Sequence, residues 1–151
     1  MAADFFQFEA DFVDSLRCIP MQVRYKLDTS GIKLKLSDWN HMTQLERQHL
    51  VELPCTTESE IRVYRSYIQE LILKRNGTPV AELPIESHPA WMDANTVPTS
   101  VSEKAQEIGV NITVTDWSNL NHLQRFALIK LSRSGHENQN FLPALREFRL
   151  L

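Results

Sequence analysis

The sequence predicts a mainly α fold made of two tandem, pseudo-symmetric helical units. Three observations carry that expectation. Apolar residues recur at helical spacing behind recognisable start signals, a glycine closes each of several such runs, and one pattern occurs twice in register. Gly31, Ile32, Leu34, Leu36, Asp38 and Trp39 match Gly109, Val110, Ile112, Val114, Asp116 and Trp117. From Trp39 to Trp117 the shift is 78 positions, and two of the chain's three tryptophans fall in that register. The match continues without a gap through Met42 with Leu120, Leu45 with Leu123, Arg47 with Arg125, Leu50 with Leu128 and Leu53 with Leu131. A sustained register of this kind points to a duplicated unit.

The elements follow from local chemistry. Pro20 suits the first turn of a helix, where its missing N–H would have no partner; Val23 and Leu27 then form an apolar stripe that ends at Gly31. In the second unit Ser100 and Glu103 have capping-box spacing, followed by Val101, Ala105 and Ile108 and a stop at Gly109. After each glycine the apolar residues alternate, at positions 32, 34, 36 and 110, 112, 114, which predicts short extended segments with one buried face. Those two segments are candidates to pair with each other. Thr43 with Glu46, and Asn121 with Gln124, predict capping boxes for the next helices, whose apolar faces carry Leu45, Leu50, Leu53 and Leu123, Leu128, Leu131. A third box, Thr57 with Glu60, opens a long helix with Ile61, Tyr64, Ile68, Leu71 and Ile72 on one face, closing at Asn76 and Gly77. Its counterpart runs from Phe141 to about Leu150, with Pro143 restricted to the first turn. The expected organisation is therefore a segment 1–19, a unit 20–76, a proline-rich connector 77–99 anchored by Trp91, and a unit 100–151, all in a single domain.

Composition narrows the function. Hydrophobic content of 42% and charged content of 23% are ordinary for a globular chain. A net charge of -3 argues against a polyanion as main partner, because nucleic-acid affinity rests on neutralised phosphates. The first residues lack a basic, apolar leader, and no apolar run reaches the ~18 residues that span a bilayer. A cytoplasmic protein without a membrane partner is expected, with Cys18 and Cys55 as reduced thiols.

Chemical motifs are sparse. None of the histidines, His41, His49, His88, His122 and His136, has metal-ligand spacing with another histidine or a cysteine, and no phosphate-binding glycine loop or nucleophile elbow occurs. No catalytic residue, metal or cofactor is expected. The repeated Asp38, Trp39, Arg47 and Asp116, Trp117, Arg125 admit two readings. Two Asp and Arg pairs could line a groove for an anion. More simply, tryptophan fills the core, aspartate accepts from nearby backbone N–H groups and arginine pairs with a carboxylate. In the long helix, Arg62, Arg65, Lys74 and Arg75 could form a nucleic-acid face, but Glu58, Glu60 and Glu70 interleave with them, as on a solvated helix with i, i+4 pairs.

The opening, Phe6, Gln7, Phe8, Glu9, then Asp11, Phe12, Val13, Ser15, Leu16, Arg17, Cys18, Ile19, Pro20, Met21, Val23, Arg24, Lys26, Leu27 and Asp28, resembles the start of the nitrate reductase-associated protein family of cyanobacteria. Gly31, Lys33, Leu34, Leu36, Trp39, Glu46, Arg47, Leu50, Pro54, Cys55 and Glu60 extend the likeness along the chain. The resemblance implies a non-catalytic accessory or maturation factor for a molybdopterin-dependent nitrate reductase, with the reductase apoprotein as partner. A DNA-binding regulator of nitrate assimilation and a molybdenum-cofactor carrier are the alternatives. Recognition of one asymmetric partner needs only one copy of a feature, so unduplicated residues are the better contacts. Phe5, Phe6 and Arg17 are the candidates, whereas Phe8 and Phe12 have the spacing of an inward helix face.

Overall fold

A computed structural model describes residues 5–9, 18–133 and 139–151. It is mainly helical and divides into two compact units, Glu9–Ile85 and Glu86–Leu151, with Phe6–Phe8 belonging to the second. The division falls inside the stretch expected to be a connector.

The first unit comprises α1 (Met21–Ser30), β1 (Ile32–Lys33), α2 (Leu36–His41), α3 (Gln44–Glu52), α4 (Glu58–Asn76) and β2 (Ala81–Glu82). α1 starts on Pro20, which stands one residue before the helix and not inside its first turn: its carbonyl accepts from the N–H groups of Val23 and Arg24, both at 3.0 Å. The buried Glu9 carboxylate then accepts the N–H of Met21 at 2.6 Å, filling the position a capping side chain would otherwise take. Gly31 ends α1 with φ of 75°, and a side chain there would meet the Cγ1 of Ile85 at 2.7 Å. The positive φ therefore favours glycine, and an added Cβ would in addition displace the Ile85 side chain.

α4 spans the residues its start and stop signals predict, with Thr57 and Glu60 exchanging cap hydrogen bonds and Gly77 in the left-handed region. Tyr64, Ile68 and Ile72 form its buried stripe against Val23, Leu27, Trp39 and Leu50. Each such side chain contributes about 1.5–3 kcal/mol when fully buried. Thr57→Ala removes the acceptor for the Glu60 N–H and is expected to lower stability by about 0.5–2 kcal/mol. Urea unfolding with an unchanged midpoint would contradict that role for the cap.

The second unit comprises a 3₁₀ turn (Ala90–Met92), α5 (Thr99–Glu107), α6 (Val114–Ser118), α7 (His122–Ser132) and α8 (Phe141–Glu147). α7 is buried almost all round, from Arg125 through Ile129 and again at Leu131, and packs against the 3₁₀ turn, α5 and α8. Trp91 anchors the 3₁₀ turn edge-on to Phe126, with ring centroids 5.0 Å apart. Pro143 lies in the first turn of α8, where a proline is tolerated.

Corresponding helices begin in the same register. Met21 and Thr99, Leu36 and Val114, and Gln44 and His122 are each 78 positions apart. The start of α5 corrects one expectation. Ser100 does not cap it; Pro98 does, its carbonyl accepting from Val101 and Ser102 at 3.1 and 3.0 Å, the arrangement found at Pro20. Ser100 instead receives the hydroxyl of Ser132 at 3.1 Å.

The extended segments are also revised. Ile32 and Lys33 pair antiparallel with Glu82 and Ala81, not with residues 110–114, for which no strand is formed. Period two fails at Leu36 and Val114, since each is the first residue of a helix and lies exposed. Leu45 likewise departs from the expected apolar face of α3: it is 83% exposed. No helix among the described residues is long and apolar enough to cross a membrane.

Candidate functional site

An exposed surface of mixed chemistry in the first unit lies over α3 and α4. One shallow depression is lined by Leu45, Glu46, Gln48, His49, Glu52 and Tyr67, and a second by Ser59, Arg62, Val63, Ser66, Tyr67 and Glu70. Tyr67 lines both; the first is a shallow groove between α3 and α4, and the second lies on α4 alone. The walls of the first are fixed by local bonds. Thr43 accepts from the Glu46 N–H, the Glu46 carboxylate accepts the Thr43 N–H at 2.8 Å, and Arg75 from the end of α4 donates to the same carboxylate at 2.6 Å. Burial raises the Glu46 pKa, but the Thr43 N–H and the Arg75 guanidinium outweigh it and hold the carboxyl below its ordinary value. The His49 ring meets Tyr67 edge-on, with centroids 4.8 Å apart. Burial, and then the Glu46 charge, push the Tyr67 phenol above its ordinary value. At the far end Gln48 donates to Glu52 at 2.8 Å.

Behind this face a lysine closes the C-terminal end of α3. Lys26 Nζ donates to the carbonyls of Val51 and Leu53 at 2.7 and 2.6 Å and stands 5.8 Å from the centre of the Tyr64 ring. Tyr64 donates its hydroxyl to Leu50 at 2.9 Å, so carbonyls that the helix leaves unpaired are met by a cation and a phenol. Burial lowers the Lys26 pKa and raises that of Tyr64. Cys55, whose Sγ lies 3.8 Å from the Lys26 carbonyl, is pushed up to about 11 by burial. At neutral pH it is a thiol, and only the thiolate attacks.

Iodoacetamide at pH 7 is therefore expected to label Cys55 in the folded protein far more slowly than in urea, with the rate climbing as pH approaches 11. The sign for stability follows. A thiol whose folded pKa is raised contributes stability that is present below the ordinary value of 9 and is lost as pH rises through 11. Equal labelling rates with and without urea would contradict this environment. Cys18 is half-buried and, like Cys55, a free thiol.

Trp39 and Trp117 are fully buried. The Asp38 carboxylate accepts the Lys35 N–H at 3.4 Å and the Asn76 amide at 3.1 Å, and Asp116 accepts the Thr113 N–H at 3.0 Å. Arg125 departs from the carboxylate pairing expected of it. Its guanidinium donates to the carbonyls of Trp117, Trp91 and Leu120 at 3.1, 3.0 and 2.8 Å, with Ser118 at 3.5 Å. Arg47, its counterpart, is half-buried. Arg125 is thereby committed to backbone carbonyls and does not line an anion groove with Asp116.

Two of the basic residues on α4 are occupied as well, with partners on other elements and not at i, i+4. Arg65 binds the Ser30 carbonyl at 2.7 Å and the Glu82 carboxylate, while Arg75 binds the His41 carbonyl at 2.6 Å and Glu46. Among the described residues no group of three or more His, Cys, Asp or Glu side chains is placed to hold a metal ion.

Of the expected partner contacts, Phe5 is 38% exposed. Phe6 is half-buried, stacked on Phe8 and edge-on to Phe148, with both centroid distances 5.2 Å. Phe8 also meets the Phe148 ring, and its N–H donates to Glu147 at 3.1 Å. Arg17 and Phe12 lie outside the described residues. Sequence reasoning missed the α3 and α4 groove because Leu45 has the spacing of a core residue. The signal available was Val63, Ser66, Tyr67 and Glu70, a second stripe on α4 at helical spacing opposite the buried one.

Neither the curated proteins nor the solved structures yield a match to this chain. A protein-family match runs from residue 5 to residue 148 and carries the description conserved nitrate reductase-associated protein. It takes in every described helix of both units, the groove and the Lys26 and Arg125 networks, and the chain accordingly belongs to the conserved nitrate reductase-associated protein family.

Proposed function

We propose that this protein is a non-catalytic accessory factor that acts in the cytoplasm to bring a molybdopterin-dependent nitrate reductase to its active form, by binding the reductase apoprotein. The observation that carries the reading is the family match, whose description links nearly the whole chain to nitrate reductase. The geometry is compatible with a binding role: a shallow groove on two capped helices offers polar and apolar side chains together, the composition that protein interfaces use. We further propose that the two units descend from one duplicated helical unit, since their helices share a register and both keep a buried tryptophan.

Phe5, Phe6 and Arg17 are retained as proposed contacts. Phe6 packs on two rings, so its removal also lowers stability, and Phe5 is the cleaner probe. The test is a strain lacking the chain, grown on nitrate. Reductase activity should fall while the reductase polypeptide is still made, and the wild-type chain should restore it. Unchanged activity per reductase polypeptide in the deletion strain would refute the accessory role.

A further inference from the structure

Asn76 closes α4 and is followed by Gly77, the one glycine of the chain's four that stands directly behind an asparagine. An asparagine amide can be attacked by the backbone nitrogen of the next residue. Glycine allows this most readily, because it has no side chain to shield that nitrogen and its backbone turns freely. The surroundings leave the pair open. Both residues are exposed, and nothing lies within 4 Å of the place a Gly77 Cβ would occupy. Two hydrogen bonds nevertheless engage the groups that must react. The Gly77 N–H donates to the Leu73 carbonyl at 2.8 Å, and the Asn76 amide donates to the Asp38 carboxylate of α2 at 3.1 Å. Both bonds lie in the last turn of a helix, where local opening costs least.

We propose that Asn76 is a site of slow spontaneous deamidation, with water as co-reactant and with the Asp38 bond holding the folded chain back from it. When the last turn opens, the Gly77 nitrogen gives up its proton to water and bonds to the side-chain carbonyl carbon of Asn76. The bond from that carbon to Nδ2 breaks, ammonia leaves with a proton, and a succinimide remains. Water then opens the ring at either carbonyl, leaving aspartate or isoaspartate, and the nitrogen regains its hydrogen. The product reverses the local electrostatics. A donor to Asp38 becomes a second carboxylate beside it, at the end of α4 where the helix disfavours negative charge. Arg75, the preceding residue, is already committed to Glu46 and the His41 carbonyl. Modification therefore loosens the tie between α2 and α4. The proposal does not depend on the accessory role.

The test incubates the full chain at neutral pH, folded and in urea, and follows residue 76 by mass spectrometry and by enzymatic methylation of isoaspartate. Product should accumulate at Asn76 in the folded chain, more slowly than in urea. Asp38→Ala should raise the folded rate about two- to tenfold, the net worth of one hydrogen bond expressed as a rate, while the variant keeps its helical spectrum. Asn76→Asp, which imitates one product, should lower the ratio of folded to unfolded chain about three- to tenfold at low salt. Asn76→Ala, which only removes the bond, should lower it less. Full conversion in urea beside an unmodified folded chain would overturn the proposal for the native protein. Equal rates with and without urea, or an unchanged rate in Asp38→Ala, would overturn the protection assigned to the bond. Wild-type stability in Asn76→Asp would overturn the loosening of α2 from α4. If Asp38→Ala does not fold, the comparison with urea and the Asn76→Asp measurement decide.

Discussion

Replacing Arg125 with methionine is expected to destabilise the second unit by about 2–5 kcal/mol, a large fraction of the stability of a domain this size. Arg125 is only 5% exposed, and its guanidinium reaches the carbonyls of Trp117, Ser118 and Leu120 at the end of α6 and of Trp91 in the 3₁₀ turn. Methionine fills a similar volume but donates nothing. The Trp117 carbonyl keeps the Leu120 N–H at 3.2 Å, whereas each other buried carbonyl left without a donor costs about 1–3 kcal/mol, and partial access of water keeps the sum below the simple total. Lysine should not rescue the protein, because one ammonium cannot reach in three directions as the planar guanidinium does. Chemical unfolding of wild type, Arg125→Met and Arg125→Lys checks this. A loss below about 1 kcal/mol in the methionine variant would show that solvent replaces those bonds without difficulty.

The second large effect is expected at the tryptophans. Trp39→Ala and Trp117→Ala should each lower stability by about 3–5 kcal/mol, the range for truncating a large aromatic in a close-packed core. Both are fully buried. Trp117 in addition donates its Nε1–H to the Asp93 carbonyl at 2.8 Å, so Trp117→Phe should still lose about 1 kcal/mol after most of the volume is restored. If the two units are copies with the same internal design, the alanine variants should show similar losses. Thermal and urea unfolding of the pair measure this. A tolerant Trp39→Ala beside a severe Trp117→Ala would mean that the shared pattern does not carry a shared role.

Features written in neighbouring residues were legible in the sequence. The limits of α4 follow from Thr57, Glu60 and Gly77, and the boxes at Thr43 with Glu46 and Asn121 with Gln124 open α3 and α7 where their spacing places them. These signals act within one helical turn. Pairings across long sequence distances were not legible. Alternation at Ile32 and Leu34 indicates a buried face without naming a strand partner, and the partner, Ala81–Glu82, lies in a stretch whose prolines read as a loop. The burial of Arg125 was hidden for a related reason: its acceptors are backbone carbonyls, which every residue carries, so no complementary side chain marks them. Glu9 is the same case, a buried carboxylate whose bond to Met21 spans 12 positions. Leu45 misled in the opposite direction. Helical spacing assigns it to the apolar face of α3, yet the helix turns that side chain to the surface, where it lines the groove.

The proposed role requires that this chain engage nitrate reductase. The measurement is affinity capture with a tagged, full-length chain expressed at its native level in nitrate-grown cells, followed by titration of the purified chain against purified reductase apoprotein. Recovery of the reductase polypeptide, with saturable binding that resists washing in physiological salt, is the predicted result. Failure of the purified apoprotein to bind, with the reductase absent from the captured material, would contradict the proposed role.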